Sequence, residues 1–128
     1  MNYYFNKIIK GTFEEVIEKV TKELKEEGFG ILTEIDVTAT LKKKLDIDFK
    51  KYRILGACSP PYAYKALQAE DKIGTMLPCN VIVQEVEDGL IEVAAINPIA
   101  SMQAVENEKL NEIAQEISSM LENVIAKL

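Results

Sequence analysis

The sequence predicts an α+β fold, in which a mainly antiparallel sheet is covered by two long helices. An Asp-Gly pair at 88–89 separates two runs rich in β-branched residues, Cys79–Val86 and Leu90–Ile96, which is a strong hairpin signal. Apolar residues recur at helical spacing after Thr12 and again from Glu106. No repeat or low-complexity linker divides the 128 residues, so we expect one domain spanning 1–128.

The chain is expected to open with a strand over Asn2–Ile9, which carries aromatic and β-branched residues. Thr12 and Glu15 then have the spacing of a capping box. The helix that follows should end near Gly28, because glycine readily adopts the left-handed conformation of a helix C-terminus. Its apolar stripe consists of Phe13, Val16, Ile17, Val20 and Leu24.

A second strand is predicted over Phe29–Ile35, followed by a short helix that Asp36 or Thr38 caps and that runs through Leu45. The apolar run Tyr52–Cys58 is typical of an interior strand. The short helix should have one apolar side, formed by Val37, Leu41 and Leu45.

A proline-rich segment follows the third strand. Ser59 is placed to cap a short helix over Tyr62–Ala69, with Pro60 or Pro61 in its first turn, where a missing N–H has no cost. Asp71–Pro78 is then expected to form a loop that leads into the hairpin.

The last segment, from Glu106, is predicted to be a long helix with a broad apolar stripe. One interpretation is that this stripe covers the sheet. The other is that it is wide enough to share apolar surface with a second subunit. The stripe contains Leu110, Ile113, Ala114, Ile117, Met120, Leu121, Val124, Ile125 and Leu128.

Histidine is absent, which narrows the chemistry open to the chain. Without imidazole there is no Ser-His or Cys-His nucleophile pair and no histidine zinc ligand. Two cysteines cannot form a four-cysteine metal site, and no spaced carboxylate motif appears. We therefore expect no metal and no cofactor.

The net charge of −6 argues against sequence-independent nucleic-acid binding, which needs a basic surface. No apolar run is long enough for a signal peptide or a membrane span. The expected location is the cytoplasm, with no membrane partner.

One stretch of the sequence is basic, although the chain as a whole is acidic. Lys42, Lys43, Lys44, Lys50, Lys51 and Arg53 lie close together in the sequence, and Asp46 and Asp48 lie among them. They indicate either an anion contact or a solvated connection that balances the acidic chain.

The two cysteines lie at predicted strand ends beside loops, where functional sites tend to gather. Cys58 precedes a helix N-terminus, whose dipole is expected to lower a thiol pKa. Cys58 and Cys79 are therefore candidate reactive thiols. The alternative is that both are buried and inert, as is common in cytosolic proteins.

A modest pocket or dimer surface is predicted from three segments, 58–64, 74–80 and 97–98. Glu85 and Glu92 are also expected to face each other across the hairpin, although paired carboxylates on an exposed sheet need not be catalytic. The candidate pocket residues are Pro60, Tyr62, Tyr64, Met76, Pro78, Asn80, Asn97 and Pro98.

Three stretches together resemble the family known as domain of unknown function 302: RILGACSPPYAYKAL at 53–67, IGTMLPCNVIV at 73–83 and INP at 96–98. The resemblance covers essentially the whole chain. It implies a fold similar to one repeat of the TATA-binding protein, with a β-α-β₄-α core into which the two short helices are inserted. It also implies a small cytoplasmic bacterial or archaeal protein that forms a homodimer, and it implies no established activity.

Two hypotheses follow. In the first, the chain is a non-enzymatic module that binds a small ligand or a partner and acts as a homodimer. In the second, it is a thiol-dependent protein that uses Cys79 or Cys58 in redox or sulfur chemistry.

Overall fold

The fold was analysed in a computed structural model that describes residues 2–128. Five strands form one open antiparallel sheet in the order β1-β5-β4-β3-β2. The strands are β1 (Tyr4–Lys10), β2 (Gly30–Asp36), β3 (Tyr52–Cys58), β4 (Cys79–Glu87) and β5 (Leu90–Ile96). The helices are α1 (Phe13–Glu26), α2 (Val37–Leu45), α3 (Pro60–Ala69), α4 (Pro98–Ser101) and α5 (Glu108–Ala126). The predicted α+β fold is confirmed, while the likeness to the TATA-binding protein stays a prediction.

Only one face of the sheet carries the hydrophobic core. In β5 the buried residues Ile91, Val93 and Ala95 alternate with partly exposed Glu92 and Ala94. In β4 the buried residues Cys79, Val81 and Val83 alternate in the same way, as expected for a half-covered sheet, whereas three consecutive residues of β3, 55–57, are buried. Both long helices, α1 and α5, place their buried stripes against this face. The opposite face has no helix packed across it within residues 2–128, and we call it the open face.

The first long helix begins much as the sequence predicts. Thr12 is its N-cap and accepts a hydrogen bond from the backbone N–H of Glu15 at 3.2 Å. Gly28 follows the helix with a φ of +90°, a conformation that glycine adopts without strain. The predicted limits of the strands differ from the observed ones by no more than two residues.

Three secondary-structure assignments differ from the prediction. Residues Asp71–Met76 form a 3₁₀ helix where a loop was expected. The helix α4 was not predicted, and α5 begins at Glu108 because Asn107 caps it.

The short helix α2 also differs from expectation, because none of its residues is buried and Leu45 is exposed. It packs against β2 and β3 at one edge of the sheet, so its predicted apolar side has little to cover it. Asp36 is the N-cap, and its carboxylate accepts a hydrogen bond from Ala39 N–H.

Among the helices of residues 2–128, none is long and apolar enough to cross a membrane.

Candidate functional site

Two concave regions lie on different parts of the sheet. The first, the cysteine cavity, has a volume of about 250 Å³ and lies where β3 ends and β4 begins, beneath α3. The second, the open-face groove, has a volume of about 380 Å³ and crosses β4 and β5 on the open face. The cavity is lined chiefly by Cys58, Ser59, Tyr62, Leu77, Pro78 and Cys79. The groove is lined chiefly by Tyr3, Tyr52, Ile82, Gln84, Glu92 and Ala94.

The cysteine cavity brings together four of the residues that the sequence singled out, Cys58, Tyr62, Pro78 and Cys79. The register between β3 and β4 explains part of this, because Cys79 pairs with the residue that precedes Cys58 on β3. Cys58 and Cys79 are both free thiols.

The other predicted pocket residues lie elsewhere. Tyr64 and Met76 have exposed side chains, and Pro60 is exposed at the start of α3. Asn80 lines the open-face groove instead of the cysteine cavity.

Asn97 and Pro98 form the start of α4, where Asn97 is the N-cap. Asn97 is buried, and its Oδ1 atom accepts hydrogen bonds from Ile99 N–H at 3.1 Å and from the Ser118 hydroxyl at 3.0 Å. Pro98 is buried in the first turn. These contacts join the end of β5 to α5.

The expected lowering of the Cys58 thiol pKa is wrong. Burial raises the pKa of the Cys58 thiol, because desolvation disfavours the charged thiolate. Burial, with a smaller contribution from Cys58, raises the pKa of Cys79 to about 11. Neither thiol is activated as a nucleophile in this environment.

The open-face groove combines an apolar floor with a polar cluster. Ile82, Ala94 and Ile96 form the floor. Glu92 lines the groove, and its Oε1 accepts a hydrogen bond from Gln84 Nε2 while its Oε2 accepts one from Asn6 Nδ2, both at 2.8 Å. Side chains from β1 and β4 therefore hold a carboxylate on β5, the strand that lies between them.

Tyrosines border this carboxylate. Tyr3 packs edge-on against Tyr4 with the ring centroids 4.9 Å apart. The pKa of Tyr52 is raised, first by burial and then by the nearby Tyr3 and Glu92, since a second negative charge beside Glu92 is unfavourable. Tyr3, Tyr52 and Glu92 thus lie close enough to influence one another.

The hairpin register corrects the expected pairing of Glu85 with Glu92. With a two-residue turn at Asp88-Gly89 and an undisturbed ladder, these glutamates would lie opposite each other. A register shift between Glu85 and Glu87 moves the pairing by one residue, so Gln84 lies opposite Glu92. Sequence reasoning missed the Gln84–Glu92 pair because nothing in the sequence marks the bulge.

A third and larger depression, of about 470 Å³, lies beside α2 and contains part of the basic stretch. Of the three cations that line it, Lys42 and Arg53 have acidic partners, whereas Lys51 has no carboxylate of residues 2–128 within salt-bridge distance. Lys42 lies 3.1 Å from Asp46 and 3.3 Å from Asp48.

Arg53 is paired in the same way, at 3.0 Å from Glu34 and 3.6 Å from Asp36, and it lies over the Phe13 ring. These ion pairs balance two of the six basic residues of the stretch, Lys42 and Arg53, and leave the choice between the two interpretations open for the other four. No group of three or more candidate metal-binding side chains occurs in the part of the chain from residue 2 to 128.

The comparisons with other proteins identify the family. The crystal structure of an uncharacterized conserved DUF302 protein from Bacillus stearothermophilus is similar, with a TM-score of 0.91 and 28% identity. The match covers 99% of this chain and 98% of that one. No curated protein matches the sequence. The model of the family described as "Domain of unknown function DUF302" matches residues 5–128, and the chain therefore belongs to the DUF302 family.

Proposed function

We propose that this chain acts as a single-domain, non-enzymatic module that binds a small molecule in the open-face groove. The observation that carries the proposal is the half-buried Glu92 carboxylate, held by amides from two neighbouring strands above an apolar floor. Ligand sites typically combine apolar walls with a few placed polar groups that fix orientation.

The groove is a better candidate than the cysteine cavity. The polar side chains that line the cavity are limited to Ser59, Tyr62 and the two thiols, so the cavity offers little to orient a polar ligand. The groove has an ionisable carboxylate, amide groups and tyrosines around its apolar floor.

The non-enzymatic assignment rests on the absence of an activated group. The sequence has no histidine, and burial raises the pKa of both thiols. The alternative of thiol-dependent redox or sulfur chemistry has less support, because that chemistry needs an accessible thiolate.

A thermal-shift screen with a groove-filling variant tests this function. Ala94 lies on the groove floor, so Ala94→Phe should fill it, whereas Ala126→Phe changes an exposed helix position. We expect compounds that raise the melting temperature of the wild-type protein and of Ala126→Phe to lose this effect with Ala94→Phe. Stabilisation that survives Ala94→Phe would place the binding site elsewhere and contradict the proposal.

We also propose that the chain forms a homodimer and that the groove stays open in the dimer. Large apolar side chains are exposed around the end of the sheet where the cysteine cavity lies. They are Leu32 (67% exposed), Tyr64 (65%), Leu67 (44%) and Met76 (39%). An exposed apolar patch of this kind typically marks a protein contact.

Sedimentation of two variants tests this dimer. Leu67→Glu places a charge in the patch, while Ile8→Glu does the same on the open face at a similarly exposed position. The expected result is a dimer for the wild type and Ile8→Glu and a monomer for Leu67→Glu. A monomeric wild-type protein would exclude the dimer, and dissociation by Ile8→Glu alone would move it to the open face.

We propose the cytoplasm as the place of action. Two cysteines that line one cavity and remain free thiols suit a reducing compartment.

A further inference from the structure

The carboxylate of Glu92 is a hydrogen-bond acceptor with no positively charged partner among residues 2–128. It is half-buried in the open-face groove, and no lysine or arginine among residues 2–128 lies within salt-bridge distance of it. Its two hydrogen bonds come from neutral amides, which leave its negative charge in place. A carboxylate accepts about four hydrogen bonds, so acceptor capacity remains on both oxygens.

A second acceptor lies beside it. Because a carboxylate only accepts hydrogen bonds, Gln84 must turn its amide nitrogen toward Glu92. Its amide oxygen Oε1 is then buried and accepts no hydrogen bond from residues 2–128. A buried acceptor without a donor is unfavourable, so a ligand that draws the Gln84 amide oxygen toward the groove and supplies a donor would remove this penalty.

The surroundings of these two acceptors favour a positive charge. Tyr3 and Tyr52 border the groove, and the faces of aromatic rings attract cations. The chain has a net charge of −6, which concentrates cationic solutes near its surface. Ile82, Ala94 and Ile96 then provide an apolar floor for the rest of a ligand.

We infer that the open-face groove binds a primary amine attached to an apolar body, with the ammonium group donating to Glu92 and to the Gln84 amide oxygen. This inference rests on the proposed function and adds the chemical class of the ligand. An ammonium group has three donors, which suits a carboxylate and an unpaired amide oxygen that lie beside an apolar floor. A carboxylate-bearing ligand would meet the charge of Glu92 and be repelled.

Calorimetric titration with three probes of similar shape tests the inference. Phenethylamine, phenethyl alcohol and 3-phenylpropionate are a cationic, a neutral and an anionic compound with the same ring. We expect phenethylamine to bind the wild-type protein most tightly and 3-phenylpropionate most weakly.

Two variants, each of which removes one negative charge, test whether the tighter binding of phenethylamine depends on Glu92. Glu92→Gln should weaken phenethylamine binding roughly tenfold or more, because it removes a charged hydrogen-bond acceptor. Glu87→Gln, at the exposed end of the neighbouring strand β4, should leave the affinity within about twofold, since exposed charges are screened.

The failure of this inference can be separated from a failure of the proposed function. If phenethylamine binds no better than the other probes, or binds Glu92→Gln equally well, the amine inference is wrong. If the alcohol or the acid then binds in a way that Ala94→Phe abolishes, the groove is still a ligand site, but for another class. If no probe binds, the amine inference is also wrong, and the thermal-shift screen decides the proposed function separately.

Discussion

The cysteine cavity and the open-face groove differ in what their residues do. The cavity lies at the covered side of the sheet, and its lining residues Ala57, Ala66 and Cys79 belong to the hydrophobic core. The groove lies on the open face, and it holds polar side chains whose hydrogen bonds join three strands. Four of the candidate residues that the sequence predicts lie together in the cysteine cavity, whereas the polar groups suited to ligand recognition lie in the open-face groove.

The largest expected loss of stability is for a substitution on the covered face of the sheet. Leu55 is fully buried there, and Ile54, next to it on β3, points to the open face and is partly exposed. Leu55→Ala should lower the free energy of unfolding by about 2–5 kcal/mol, and Ile54→Ala by about 1–2 kcal/mol. Denaturant unfolding measures both, and equal losses would show that the open face is covered after all.

The next prediction concerns the thiols of the cysteine cavity. With its pKa raised from 9.0 to about 11, Cys79 should react with iodoacetamide at neutral pH roughly a hundredfold more slowly than an ordinary thiol. Mass spectrometry of the folded protein, with the urea-unfolded chain as the control, measures the rates. Rapid alkylation of folded Cys79 would revive the thiol hypothesis.

The same pKa shift predicts a pH dependence of stability. The folded state favours the neutral thiol, so the unfolded state releases the proton first as the pH rises. The stabilising contribution is therefore complete below pH 9 and is lost as the pH rises from 9 to about 11. Cys79→Ala should show a smaller loss of unfolding free energy over this range than the wild type, and identical pH profiles would contradict the buried environment.

A smaller loss of stability is expected for a substitution at Gly56 on β3. A Cβ atom at Gly56 would clash with the Thr33 side chain and lie 2.8 Å from Pro78 Cγ. Gly56→Ala should cost about 1–3 kcal/mol of unfolding free energy, as overpacked sites do. Gly30→Ala, at a strand position with no atom within 4 Å of the new methyl group, is the control and should be neutral or slightly stabilising.

The smallest effect on stability is expected in the groove itself. Glu92→Gln keeps the shape of the side chain and loses at most one favourable hydrogen bond, so the unfolding free energy should change by about 1 kcal/mol or less. A loss as large as that of Leu55→Ala would mean that Glu92 serves the fold and not a ligand.

Most of the fold could be predicted because its signals are local. The periodicity after Thr12, the proline-bearing start of α3 and the Asp-Gly turn each specify one element. The two elements that the prediction missed, the 3₁₀ helix at Asp71–Met76 and α4, are short and have no apolar period of their own.

The candidate site could be predicted only in part, because its parts depend on long-range pairing. Cys58 and Cys79 share a cavity because β3 and β4 are neighbours in the sheet, a pairing that the position of the cysteines at predicted strand ends does not determine. The groove depends on the bulge that places Gln84 opposite Glu92, and on β1 pairing with β5 to bring Asn6 to the same carboxylate. The raised thiol pKa values depend on burial, which the spacing of the cysteines does not determine.

The most direct test of the central claim is a map of ligand-induced NMR shifts on ¹⁵N-labelled protein, using a library of small fragments. We expect the perturbed backbone amides to cluster at the groove, in residues 80–84 of β4 and 92–96 of β5. Perturbations that cluster instead around Cys58, Tyr62 and Cys79 would make the cysteine cavity the binding site and contradict the account.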